Sequence, residues 1–415
     1  MIKKDGKIFY GWIVVFGCML ITASLVPPIM ALSGKYTTYV TAELNIKDSQ
    51  FNLVNTIVQA MGIFLSPIVS VKLAKGNMRL IQAISIAVFC VGYSAYSLAS
   101  NVVHLYICAF IVGFSWLNCA LIPVTMVINN WFVKQKGLAM SLAMAGIGVG
   151  GAIFGNVIQA FLDSYGWRMT YRIMALIILV IALPTALFII RKKPEDMGLT
   201  ALGAGDNSSA VKAKAEKPVS LSVSQSKTKL FFWLMLLGIF FNGLINTGSL
   251  INFPAAMNRM QSPAVATRVI TMYSLISIGG KLILGWINDR FGIIVSSVYG
   301  CTFFALSFLC ILFAGESALL LYVMGLTFGL GNAIGTVTPP LIVSDIFGKE
   351  KYAKAYGIAN SFSQVGLSFG GLLVSGIYDY SGSYNAAWLI MFVMTLLTML
   401  FWVSSIVLSR KYKKA

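Results

Sequence analysis

Lys281 is the residue whose chemistry most needs a reason. It stands in the run 276–292, ISIGGKLILGWINDRFG, apolar on both sides of the cation and closed by the charged turn Asn288-Asp289-Arg290. A lysine near the centre of a membrane helix costs roughly 2.5–3.5 kcal/mol on insertion scales, and such a residue by default marks a substrate or ion path. A side chain near a helix end can snorkel to water. Lys281 precedes Asp289 by eight residues, about 12 Å of helix at 1.5 Å per residue, which is long for a lysine to reach. Ser277, Ser274 and Tyr273 lie four, seven and eight residues earlier and share its face. A cation with hydroxyls stacked beside it suits a carboxylate.

The acids point the same way. All thirteen Asp and Glu fall in tails, loops or helix ends, so no mid-span acid is on offer to Lys281. A buried lysine lacking an opposite charge either gives up its proton or takes an anion. The expectation is that a bound carboxylate supplies that charge. Further polar groups are spread over other spans: Asn118, Asn246, Asn332 and Thr336. Polar side chains in a span should face protein or water, and these four are candidate substrate contacts from facing helices. Enzyme chemistry lacks its parts. There is one histidine, His104, no buried carboxylate pair for acid–base work and no metal-binding cluster. The six cysteines all fall inside apolar runs without a CxxC pair. They read as small core residues, and neither metal nor cofactor is expected.

The elements that must position these groups are membrane helices. Of 415 residues 58% are hydrophobic and 11% charged, whereas a soluble domain carries about 25% charged residues. Runs of about 20 apolar residues, enough to span, recur near 9–32, 50–72, 78–98, 104–130, 138–162, 168–190, 230–256, 266–288, 293–314, 317–343, 352–378 and 385–409. The net charge of +18 would suit nucleic acid, but its distribution does not. With both ends cytoplasmic, the inside segments hold 24 of the 31 Lys and Arg and the outside loops six, Lys281 being the remainder. That asymmetry is the positive-inside pattern. It predicts a multi-pass protein of the cell membrane with cytoplasmic termini, whose basic excess faces anionic lipid and not nucleic acid.

The chain repeats itself. Gly146-x3-Gly150-Gly151 returns as Gly366-x3-Gly370-Gly371, each followed by an aspartate, Asp163 or Asp379, and a glycine, Gly166 or Gly382. Small residues spaced by three and four let two helix backbones approach, here as a sliding or rocking interface. Two six-helix halves, 1–190 and 230–415, with a binding site between them are a known transporter plan. The intervening 191–229 is rich in Gly, Ser, Lys and Ala and cannot bury enough surface to fold alone, so it reads as a cytoplasmic linker.

These residues resemble the major facilitator superfamily. Gly285-x3-Asp289-Arg290-x-Gly292 is similar to its loop signature, and the first-half copy at 66–79 lacks the aspartate. Tyr10-Gly11-Trp12, the run from Trp131-Phe132 through Lys134 and Lys136 to Gly146, Gly166-Trp167-Arg168 and Pro194-Glu195-Asp196 resemble the monocarboxylate porters and the oxalate:formate antiporter group. The resemblance implies an all-α membrane protein of twelve helices in two pseudo-symmetric halves. It also implies conformational roles for Gly285, Asp289, Arg290, Gly292, Lys134, Lys136, Gly146 and Gly150. That group commonly holds the substrate carboxylate with an arginine in the eighth helix, where Lys281 stands here. Its proton-coupled members often place an acid one turn earlier, where Ser277 stands. Oxalate exchangers carry a second cation in the eleventh helix, where this chain offers Ser363 and Gln364. One buried charge suits one carboxylate better than two.

The resulting expectation is a secondary active transporter of a small organic anion, with a monocarboxylate of the lactate, pyruvate or formate type first. Coupling is to protons or by anion exchange. The rivals are an exporter of larger amphipathic compounds and a membrane sensor that binds without flux.

Overall fold

The computed structural model describes residues 9–30, 32–204, 223–261, 263–315 and 317–414. They form helices and turns, and an isolated bridge between Phe132 and Leu202 is the one strand-like pairing among them. They divide into two compact units, Met1–Lys134 with Leu142–Asp206 and Gln135–Ser141 with Asn207–Ala415.

The first unit is built on α1 (Tyr10–Leu25), α2 (Asp48–Lys75), α3 (Met78–Ala95), α4 (Val102–Cys119), α5 (Leu121–Trp131) and α6 (Lys136–Pro184), except that the start of α6, residues 136–141, belongs to the second unit. The second contains α7 (Leu230–Met260), α8 (Pro263–Phe291), α9 (Ile293–Leu312), α10 (Ala318–Gly331), α11 (Thr338–Ser381) and α12 (Asn385–Lys414). Ten stretches are long and apolar enough to cross a membrane, two of them 54 and 64 residues long. One crossing takes about 20 residues, so each of those two holds a pair of crossings. Gly166 parts the first pair at φ 71° and Gly348 the second at φ 64°. Only glycine takes such a conformation freely, so a helix turns back there within one residue. The described residues thus contain twelve crossings.

Hydroxyls within the spans mostly return to their own helix. Ser24 donates to the Leu20 carbonyl, Ser115 to Ile111, Ser249 to Ile245 and Thr395 to Met391, at 2.6–2.8 Å. Without water in the hydrocarbon this is how such groups are satisfied. Packing between helices relies on small residues. A side-chain carbon at Gly150 would meet the Cα and carbonyl carbon of Ala23 at 2.7 Å, and one at Gly146 the Met19 carbonyl. Gly146 and Gly150 therefore lie against the α1 backbone, inside the first unit. In the second unit Gly366 and Gly370 lie in the same way against Gly243, Leu244 and Gly248 of α7.

The segment 191–204, expected as the start of a linker, is built onto the first unit. The Trp131 indole donates to the Arg191 carbonyl at 2.8 Å and the Asn130 amide to that of Lys192 at 3.0 Å. Leu202 pairs with the backbone at Trp131 and Val133. The Lys192 ammonium donates to the carbonyls of Ala74 and Gly76, at 2.6 and 2.9 Å, where α2 leaves its last acceptors open. A buried indole needs a partner, and this stretch supplies it. Residues 205–222, most of the remaining linker, lie outside the described residues.

Candidate functional site

α8 places Tyr273, Ser277 and Lys281 one turn apart, and they are 5%, 7% and 5% exposed. The Tyr273 ring stands edge-on to Phe328 at 5.0 Å, and the Ser277 hydroxyl donates to the Ser274 carbonyl at 2.9 Å. Ser274, on the same face by spacing, is exposed and returns its hydroxyl to Ile270. Beside Lys281, Gly280 brings α8 against α10: a side-chain carbon there would sit 2.5 Å from the Gly329 carbonyl. The cation is thus held where two helix backbones nearly touch.

Next to this crossing the tenth span loses its helix. α10 ends at Gly331, a 3-10 turn covers Asn332–Gly335, and α11 starts only at Thr338. Pro339 and Pro340 follow at once, and neither can donate a backbone hydrogen bond to the preceding turn. Irregular backbone at membrane depth is tolerated only where protein buries it or it lines a cavity. α7, α8, α9 and α11 all touch this turn. Two expected site residues meet directly in it, the Asn246 amide of α7 donating to the Asn332 side-chain oxygen at 3.0 Å. The Thr336 hydroxyl is buried and, like that of Thr338, has no hydrogen-bond partner among the described residues. That sets it apart from the back-bonded hydroxyls elsewhere and leaves it available to a ligand.

Asn118 belongs to the first unit. Its amide donates to the Phe114 carbonyl at 2.9 Å, just before a second break, where Ala120 takes φ −96° and ψ −110° between α4 and α5. Each break thus has an asparagine beside it. The expected residues did not reveal the breaks themselves. Pro339-Pro340 was the available signal in one span and Pro123 a weaker one in the other.

The residues with expected conformational roles form a second constellation. The Asp289 carboxylate accepts from the backbone N–H of Gly137 at 2.6 Å and of Leu138 at 2.8 Å, the open donors at the start of α6. An acid there also complements the helix dipole. Gly285 and Gly137 make room for it, since a side-chain carbon at Gly137 would sit 2.5 Å from the Gly285 carbonyl. Arg290 lies over the Trp286 and Phe291 rings at 5.5 and 5.6 Å. Gly292, at φ 86°, opens α9. The Lys136 ammonium donates to the Ser344 hydroxyl at 2.7 Å. Lys134 is exposed, and its backbone N–H donates to Leu202. Gly137 and Ser344 complete this set and were not singled out by the sequence.

The other landmark residues are structural. Trp12 packs against Phe132 at 5.1 Å and Tyr10 against Trp131 at 5.8 Å, so two separated motifs form one aromatic cluster. Glu43 receives the Arg168 guanidinium at 2.8 Å and the Trp167 indole at 2.5 Å. The Arg168 bond, opposed by burial and helped by Trp167, holds the Glu43 carboxyl below its ordinary range. Among the described residues no three His, Cys, Asp or Glu side chains group as a metal site.

Two stretches of the chain, residues 8–261 and 235–415, match the family model of the Major Facilitator Superfamily. Monocarboxylate transporter 12 of Mus musculus is 23% identical over 406 residues, spanning 92% of this chain and 82% of that protein. The sialic acid transporter NanX of Escherichia coli (strain K12) is 24% identical over 345 residues, spanning 82% and 81%. The transporter FucP, solved in the outward conformation, superposes with a TM-score of 0.69 at 16% identity, covering 96% of this chain and 99% of its own. With its twelve crossings in two six-helix units, the chain belongs to the Major Facilitator Superfamily and is a multi-pass membrane transporter.

Proposed function

We propose that this transporter carries a small organic anion, a monocarboxylate first, and that Lys281 binds its carboxylate. The carrying observation is a cation only 5% exposed on a helix that touches an interrupted span. Intramembrane charges mark substrate paths, and broken helices form the binding sites of many transporters. Ser277, Tyr273, Asn246, Asn332 and Thr336 supply the surrounding polar contacts, and Asn118 is the candidate from the first unit. The names of two relatives denote acids, a monocarboxylate and sialic acid. Both termini face the cytoplasm in this reading. Relative movement of the halves gives alternating access, with Asp289 and Lys136 holding the start of α6. Lysine shifts its proton affinity readily when buried, so Lys281 serves proton symport as well as anion exchange.

Radiolabelled counterflow in liposomes against a panel of carboxylates tests this. Wild type should exchange a monocarboxylate, and Lys281→Gln should lose about tenfold or more, since charge-assisted bonds are worth roughly 1.5–3 kcal/mol. Lys281→Arg should retain part of the flux, because it keeps the charge with a different donor geometry. Undiminished carboxylate flux in well-folded Lys281→Gln would remove the assigned role.

A further inference from the structure

In the first unit a cavity of about 350 Å³ lies between the turn after α2 and the segment 191–204, lined by Asn77, Met78, Arg79, Lys192 and Asp196. Its walls are rich in donors. Arg79 is half-buried and makes no hydrogen bond or ion pair with any described residue. Two of the three Lys192 donors go to the carbonyls of Ala74 and Gly76, which leaves one. The Asn77 oxygen is taken by the Leu80 N–H, and its amide nitrogen remains. Asp196, the one acid on the wall, accepts from its neighbour's N–H at Lys193. Two cations and one carboxylate leave a single positive charge uncompensated.

We propose that this cavity binds a phosphate group, that of an anionic lipid headgroup. A phosphodiester carries one negative charge and would bring the walls to neutrality. Guanidinium and ammonium groups are the usual partners of phosphate oxygens. Basic pockets at the cytoplasmic ends of membrane helices take such headgroups. The lipid source follows from what adjoins the cavity. Leu80, Ile84, Val88 and Val91 are 55%, 56%, 40% and 71% exposed. Their spacings of four, four and three place them on one face of α3. This apolar stripe starts at the residue after Arg79 and gives an acyl chain a track away from the cavity. Because Lys192 and Asp196 come from one segment and Arg79 from another, a bound headgroup joins the segment 191–204 to α3.

Native mass spectrometry of the full chain, titrated with phosphatidylglycerol, phosphatidylcholine and, separately, inorganic phosphate, tests the site. Wild type should retain phosphatidylglycerol in preference to phosphatidylcholine. Arg79→Gln, which loses no hydrogen bond or ion pair with a described residue, should weaken that retention about tenfold, the scale of a charge-assisted hydrogen bond. Its thermal midpoint without lipid should match wild type. Lys75→Gln, an exposed cation four residues earlier in the chain and outside the cavity lining, should retain lipid as wild type does. Arg79-dependent retention of inorganic phosphate without phosphatidylglycerol keeps the phosphate site and overturns its lipid source. Equal retention by wild type and Arg79→Gln, or no preference for phosphatidylglycerol, overturns the proposal.

Discussion

The two units repeat their packing and differ in their chemistry. Gly146 and Gly150 seat α6 on α1, and Gly366 and Gly370 seat α11 on α7. Each unit breaks one span beside an asparagine, Asn118 or Asn332. The helices α2 and α8 then part company. Between residues 51 and 71 α2 has no charged residue, while α8 carries Lys281 and ends in Asp289-Arg290. With Gly76 in register with Gly292, the buried Leu73 stands where Asp289 does. The first unit caps α3 from within, Asn77 accepting the Leu80 N–H at 3.3 Å. In the second, Asp289 reaches the start of a helix some 150 residues earlier in the chain. Packing through small residues costs little to duplicate, because it needs only space. A buried charge is expensive wherever it stands, and one copy serves.

If the glycine seats are equivalent, Gly150→Val and Gly370→Val should be the most damaging changes. Each forces a branched side chain onto backbone atoms, a cost at the upper end of the roughly 1–3 kcal/mol usual for overpacking. Thermal midpoints and the yield of monodisperse protein would report it. Gly151→Ala, with no described residue within 4 Å of the added carbon, should leave both unchanged. Tolerance of Val at one seat and not the other would break the equivalence.

Asp289→Asn should come next. It keeps the shape and removes the charge from two short bonds, a loss of about 1.5–3 kcal/mol, seen as faster amide exchange at residues 136–141. Asn77→Ala, the loss of an ordinary helix cap, should cost about 1 kcal/mol and leave that exchange untouched. Equal effects would mean that the charge adds nothing to the second loop.

The smallest effect is a pH dependence. The register that pairs Gly166 with Gly382 also pairs Glu43 with Arg259. Glu43 holds Trp167 and Arg168, whereas Arg259 lies over the Tyr378 and Tyr384 rings at 4.1 and 5.9 Å. Folding depresses the Glu43 carboxyl. Its contribution is therefore present above the unfolded value near 4.3 and disappears as pH falls through the lower folded value. The pair is half exposed, so a few tenths of a kcal/mol is the expected size. The thermal-midpoint difference between wild type and Glu43→Gln should close as the pH falls below the unfolded carboxyl value near 4.3, while that for Arg259→Gln stays flat.

Much of the fold was legible in the chain itself. Hydrophobic run length, the lysine and arginine bias and the spacing of Gly146, Gly150, Gly366 and Gly370 are local properties. They determined twelve crossings, the two-half plan and the position of Lys281 in an apolar run. Other features were decided by tertiary structure alone. These are the meeting of Asn246 with Asn332, the helix break at 332–337, the hold of Asp289 on Gly137 and Leu138, and the docking of 191–204 under Trp131. The physical reason is range. Hydropathy and helical period act over one or two turns, whereas a hydrogen bond across 86 or 152 residues exists only once packing has set both partners in place.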